Sequence, residues 1–237
     1  MALEIKYDKI VGAVDNLQEK LNGELPIDRL ELLYLINSWG RTSSFYINEN
    51  IQILECKAKE CYNLSKLDTS EITDMSQLFY YSEFNGDISN WDVSNVTNMN
   101  MMFYNAKSFN QVLNNWNVSN VTNMRAMFCL AKEFNQALDN WNVSNVTQMS
   151  EMFQQASNFN QSLNNWDVSN VTHMGYMFYN AKSFKEKYNS GEPLPTNTDD
   201  IKDWFNLNRE KMNVISIKDQ HGDEIDGFFS NITNLTQ

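Results

Sequence analysis

The sequence predicts an α/β repeat solenoid of about five short repeats, closed by a helical N-terminal cap and an α+β C-terminal cap. Three observations carry this prediction. A 25-residue unit recurs: Trp91, Trp116, Trp141 and Trp166 stand at that interval, as do Val96, Val121, Val146 and Val171, and Met99, Met124, Met149 and Met174. Such a period belongs to arrays whose units bury their apolar faces only against each other. Inside each unit the apolar spacing changes from strand-like to helix-like. The flanking segments lack the repeat and carry helix and hairpin signals, and an array needs covers for its two open apolar ends.

The elements follow in order. Residues 1–62 read as the N-terminal cap. Ile10, Val14, Leu17 and Leu21 fall three or four apart, as on an amphipathic helix, and Gly23 stops it. Pro26 stands where a second helix begins, carrying Ile27, Leu30, Leu33, Leu35 and Ile36 towards Gly40. Two short β-rich runs, Phe45 to Ile47 and Ile51 to Leu54, flank Asn48-Glu49-Asn50 and suggest a hairpin.

The array occupies residues 63–184. Its first copy is degenerate, with Leu67 in the Trp position and Thr69 in the Val position, and Met75 precedes Met99 by 24 residues. In a full copy, Leu113, Trp116 and Val118 predict a short strand over Asn115 to Ser119 in a parallel ladder. Val121 and Thr122 predict a bend. Met124, Met127, Phe128 and Ala131 predict a helix capped by Thr122 and ending near Phe134. Recurrent Asn, as at Asn95, Asn110, Asn120 and Asn135, is expected to form buried ladders on turn carbonyls.

Residues 185–237 read as the C-terminal cap. A polar stretch with Pro193 and Pro195 predicts a loop. A helix capped by Thr198 or Asp199 then carries Ile201, Trp204, Phe205 and Leu207, with Trp204 as the anchor. Val214 to Ile217 and Ile225 to Phe229 predict a hairpin around His221-Gly222.

The string WDVSNVTNMNMMFYNAKSFNQVL, Trp91 to Leu113, resembles the BspA-like leucine-rich-repeat proteins and their 25-residue bacterial surface-protein repeat class. The resemblance covers about half of the chain. It implies a leucine-rich-repeat-like solenoid and, for family members, a surface role in adhesion and host contact.

Composition narrows the function classes. The formal charge of −12 favours solubility and opposes contact with nucleic acid or anionic membrane. No run of about 18 apolar residues exists to span a membrane. The start, MALEIKYDKI, has no apolar signal core and no lipobox cysteine, so a cytoplasmic location is expected, with the cell surface as the alternative. Cys56, Cys61 and Cys129 are an odd set without CxxC spacing, so reduced thiols and no zinc site are expected.

Catalytic and cofactor motifs are absent, and neither an enzyme nor a cofactor is expected. His173 occupies a polar repeat position. The Asn-Val-Thr triplets at Asn95, Asn120, Asn145 and Asn170 belong to the repeat and are not read as sugar acceptors. The methionine stripe is core filler.

A protein-binding module is therefore expected, acidic, of bacterial or mobile-element origin, engaging and inhibiting a basic partner such as a nucleic-acid-handling protein. The candidate partner-binding residues are the outward acids Asp92 and Asp167; Tyr104, Tyr179, Lys107 and Glu133, where the copies differ; and Asp199, Asp200 and Asp203 of the last cap. A surface adhesin is the alternative.

Overall fold

The computed structural model describes residues 17–38 and 64–212, together with the backbone of 217–218 and 224–225. The first expected hairpin and Gly40 lie outside the described residues. Among the described residues two short helices come first, α1 (Leu17–Leu21) and α2 (Arg29–Ser38). Gly23 ends α1 at φ 77°, its N–H donating to the Lys20 carbonyl at 3.0 Å. An added Cβ there would collide with the Lys66 carbonyl.

Pro26 does not open α2. It forms a parallel bridge with Asp68, and Ile27 N–H donates to the Asp68 carbonyl at 3.0 Å. Asp28 is the cap. Its Oδ1 accepts from Leu30 and Glu31 N–H at 2.8 and 2.9 Å, and Glu31 Oε2 accepts from Asp28 N–H at 3.0 Å.

The copies lie side by side in register, with single-residue parallel bridges joining Asp74, Asn98, Asn123, Gln148 and His173 in turn. The expected helix from Met124 to Phe134 is not formed. In the preceding copy, alternate N–H groups leave their own segment. Met99, Met101, Phe103 and Asn105 donate to the carbonyls of Asn123, Arg125, Met127 and Cys129 at 2.7–2.9 Å. The N–H groups between them close turns: Met102 onto Met99, Tyr104 onto Met101 and Ala106 onto Phe103, at 3.1–3.2 Å. A helix keeps every interior N–H within its own segment, so the two patterns exclude each other.

The backbone follows suit. Met101 and Asn105 have φ of 55° and 54°, and Ala126, Leu130, Glu151, Gln155, Tyr176 and Asn180 repeat the pair in later copies. Left-handed backbone costs a non-glycine residue about 1–2 kcal/mol, and the bonds to the next copy hold it there. Replacing exposed Gln155, φ 57°, with glycine should therefore raise stability by about 1 kcal/mol. Gln155→Val should lower it. Urea denaturation of both variants checks this.

The strand expected over Asn115 to Ser119 is also absent. Local turns close there instead, Trp116 N–H onto Leu113 at 3.0 Å and Val121 N–H onto Val118 at 2.9 Å. Side chains tie this segment to the preceding copy. The buried indole N–H of Trp116 donates to the Ile88 carbonyl at 3.1 Å, and that of Trp141 to Leu113 at 2.9 Å. Asn120 Nδ2 reaches the Ser94 carbonyl at 2.7 Å, and Asn145 Nδ2 reaches Ser119 at 2.8 Å. These Asn residues do satisfy turn carbonyls, but from the exposed surface rather than from a buried ladder. Thr122 does not cap a helix; its N–H bonds the Thr97 carbonyl at 2.9 Å.

The core is the set of residues that the periodicity marks. Leu113, Trp116, Val118, Val121, Met124, Met127, Phe128, Ala131 and Phe134 are all buried. Their rings form two columns. Phe103, Phe128, Phe153 and Phe178 follow one another at 5.4–5.8 Å, and Phe109, Phe134, Phe159 and Phe184 at 5.9–6.1 Å.

The array ends in α3 (Lys182–Asn189), where a loop was expected from Lys185. Phe184 and Tyr188, four apart, bury one face of it, and that apolar pair outweighs the polar composition. Helix α4 (Thr198–Met212) follows. Its cap is Asn197, whose Oδ1 accepts from Asp200 N–H at 2.9 Å. Thr198 instead uses Oγ1 to accept Met174 N–H at 3.0 Å. Strands β1 (Ile217–Lys218) and β2 (Glu224–Ile225) pair antiparallel, as expected for the last hairpin.

Both caps supply bonds that a missing neighbour copy would make. At the last copy, Tyr176 N–H donates to the Thr196 carbonyl at 2.8 Å. Lys202 Nζ serves the Ser169 carbonyl at 3.2 Å, the place that the next copy's Asn takes on Ser119 and Ser144, and Arg209 adds a bond to the Trp166 carbonyl at 2.8 Å. At the first copy, Arg29 Nε donates to the Asp74 carbonyl at 2.9 Å and Nη2 to Ser76 at 2.6 Å. Trp204 packs over the column ends, 6.3 Å from Phe178 and 6.1 Å from Phe184.

Candidate partner-binding face

The residues that follow Phe79, Phe103, Phe128, Phe153 and Phe178 form a row whose exposure varies: Tyr80 and Tyr179 are exposed, Tyr104 and Gln154 are half-buried, and Cys129 is buried. This row reads Tyr80, Tyr104, Cys129, Gln154 and Tyr179. It is aromatic at both ends. At the first end Tyr80 and Tyr81 are 38% and 42% exposed. Their rings lie 4.6 Å apart, with Tyr104 at 5.1 Å from Tyr80 and 5.7 Å from Tyr81. At the other end Tyr179 and Tyr176 are 43% and 50% exposed and meet edge-on at 5.8 Å. Tyr is enriched at binding hot spots because it presents a large rigid ring with a polar tip.

The middle of the row is polar and quiet. Cys129 is buried, and burial, aided by the Glu151 charge, pushes its thiol up to about 12. Such a thiol stays protonated and unreactive at neutral pH. Arg125 and Glu151 form an exposed ion pair at 3.0 Å across neighbouring copies.

The other expected site residues are dispersed. Asp92 and Asp167 are exposed but engaged locally: Asp92 Oδ1 accepts Ser94 N–H at 2.9 Å, and Asp167 Oδ1 accepts Ser169 N–H at 3.0 Å. Asn117 and Asn142 do the same work for Ser119 and Ser144, so these acids are turn formers. The Ser94 hydrogen bonds hold Asp92 below the usual carboxylate range, and the Ser169 bonds do so for Asp167. A carboxylate lowered in the folded state stabilises above its unfolded pKa of about 3.9, and that contribution is lost as pH falls through the folded value.

The double variant Asp92→Asn/Asp167→Asn should therefore shift Tm by no more than about 2 °C at pH 7. It should also fall less steeply than the wild type on acidification below about pH 4. Thermal melts across pH read both.

Lys107 and Glu133 are exposed, and the Lys107 carbonyl accepts Glu133 N–H at 3.2 Å. Glu133 Oε2 takes an amide proton from Asn158 at 3.0 Å. Asp199 and Asp200 lie exposed in the first turn of α4, where the helix dipole favours them, and Asp203 lies exposed one turn further on. His173 is exposed at the end of the bridged column, its Nδ1 at 2.8 Å from Gln148 Nε2.

Sequence reading missed Tyr80, Tyr81 and Tyr176. The one-residue shortening of the first copy hid the match of Tyr80 to Tyr104. Tyr176 stands at a left-handed position that apolar spacing does not mark.

Among the described residues no group of three or more His, Cys, Asp or Glu is placed to hold a metal ion. No helix there is long and apolar enough to cross a membrane.

Comparison with known proteins gives one result. Residues 49–138 and 112–218 match the family described as "Mycoplasma protein of unknown function, DUF285". The two matches overlap and together run through the array into the last cap. No curated protein and no solved structure matches the chain.

Proposed function

We propose that this chain, which belongs to the DUF285 family, is a non-enzymatic protein-binding module. Its fold on this reading is a capped repeat solenoid akin to the BspA-like leucine-rich repeats. It works by presenting one tyrosine-bearing face to a basic protein partner. The observation that carries the reading is the gathering of exposed tyrosines at the two ends of this face, Tyr80 and Tyr81 against Tyr104 at one and Tyr176 with Tyr179 at the other. Positions fixed from copy to copy, such as Asn120 and Asn145, are consumed by hydrogen bonds between copies, whereas the rings of Tyr80, Tyr81, Tyr176 and Tyr179 remain exposed.

The charge of −12 gives the sign of that partner and would speed its encounter at low salt. Occupation of a nucleic-acid-handling protein's basic groove would make the chain an inhibitor, acting in the cytoplasm.

The test is a tagged capture from nuclease-treated native cytosol at two salt concentrations, with the wild type beside a Tyr104→Ala/Tyr179→Ala variant. One basic protein retained at low salt by the wild type, and lost by the variant, supports the reading. Equal retention by both overturns the tyrosine face. No cytosolic partner at either salt moves the chain to the surface-adhesin reading that the repeat resemblance implies.

A further inference from the structure

We infer that the first-copy edge of the tyrosine row is a subsite for an arginine side chain of the basic partner. The inference deepens the proposed function and rests on it. The chain contains its own template. Each interior copy offers a row of four carbonyls to its predecessor, as Asn123, Arg125, Met127 and Cys129 do to Met99, Met101, Phe103 and Asn105. Among the described residues the first copy has no predecessor of that kind. Its row is Asp74, Ser76, Leu78 and Tyr80.

Arg29 fills the first two places, donating from Nε to Asp74 and from Nη2 to Ser76. The planar guanidinium fork spans two carbonyls spaced two residues apart. The other two carbonyls, on Leu78 and Tyr80, receive no hydrogen bond among the described residues. They have the same spacing, and the outer one belongs to half-exposed Tyr80.

The surroundings suit a second guanidinium. The rings of Tyr80, Tyr81 and Tyr104 stand within 4.6–5.7 Å of one another at this edge, and guanidinium stacks on tyrosine faces. The first copy is also strongly acidic, with Asp68, Glu71, Asp74, Glu83 and Asp87 against Lys66 alone. A partner arginine would stack on the exposed tyrosine rings and donate to the Tyr80 carbonyl, extending inward to Leu78. Lysine carries the charge but lacks both the fork and the flat face.

The experiment measures binding of labelled oligo-arginine and oligo-lysine peptides of equal length to the full chain at low salt. A Tyr80→Leu/Tyr81→Leu variant runs alongside; both side chains are exposed, and circular dichroism confirms its fold. The expected result is that oligo-arginine binds about tenfold more tightly than oligo-lysine. The variant should reduce oligo-arginine binding to the lysine level and leave oligo-lysine unchanged. Equal binding of the two peptides, or an arginine preference that survives in the variant, overturns the subsite and leaves the basic-partner reading standing. Failure of both peptides to bind overturns the basic-partner reading itself.

Discussion

Replacing Phe128 with alanine is expected to cost about 3–5 kcal/mol, a large part of the stability of an ordinary domain. Phe128 is fully buried at the centre of the first ring column, 5.4 Å from Phe103 and 5.6 Å from Phe153. It also lies 4.0 Å from Phe134 of the second column. Removing it opens a void that touches three copies at once, and the surrounding turns cannot collapse to fill it. They are tied to both neighbours by the alternate N–H bonds. In a stack stabilised by nearest-neighbour contacts, such a break also uncouples the two halves. Urea denaturation followed by tryptophan fluorescence should show a lower midpoint and a broadened or split transition, since Trp141 lies 6.4 Å from Phe128. Phe128→Leu should cost much less. A loss under about 1 kcal/mol for the alanine variant would mean that the rings are not packed as described.

The second large effect is expected at Arg29. Its guanidinium holds two main-chain carbonyls of the first copy, Asp74 and Ser76, by charge-assisted bonds. Each such bond is worth about 1.5–3 kcal/mol. Side-chain exposure reduces the sum, so Arg29→Met should cost about 3 kcal/mol. Arg29→Lys should rescue little, because a point charge cannot span both carbonyls. The loss should be local. Hydrogen exchange should speed at the N–H groups of Ile72, Met75 and Gln77 before it changes at those of Phe128 or Leu130. Uniform acceleration along the array would contradict a capping role.

The repeat period and the buried set were legible in the sequence because burial depends on side-chain identity, and Trp116, Val121, Met124 and Phe128 recur without drift. The backbone path was not legible. Apolar residues three and four apart fit a helix, but they fit this ladder of turns equally well, since both bring Met124, Met127 and Phe128 to one side. The distinguishing feature is left-handed backbone at Ala126 and Leu130, and no glycine stands at either place to announce it. Only bonds to the next copy stabilise that conformation, and those depend on the stack as a whole.

The candidate site divides in the same way. Tyr104 and Tyr179 could be found because they break the repeat's sameness. Asp92 and Asp167 were misread because an outward acid looks available until its hydrogen bond to the serine two residues on is seen. Asn117 and Asn142 at the same position carried that information, since Asp and Asn share the turn-forming oxygen. Arg29 gave no signal at all. Its value comes from an array edge 45 residues away.

The most direct test of the tyrosine-bearing face is site-specific photo-crosslinking of the full chain in native cytosol. A photoreactive phenylalanine analogue is placed singly at Tyr104, at Tyr179 or at Asn117, the last exposed in the segment of serine-capped turns. Crosslinks to one basic protein from Tyr104 and Tyr179, weakened at high salt and absent from Asn117, are the expected result. Crosslinking from Asn117 with none from either tyrosine position would contradict it and put recognition on the turns that Asp92 and Asp167 shape.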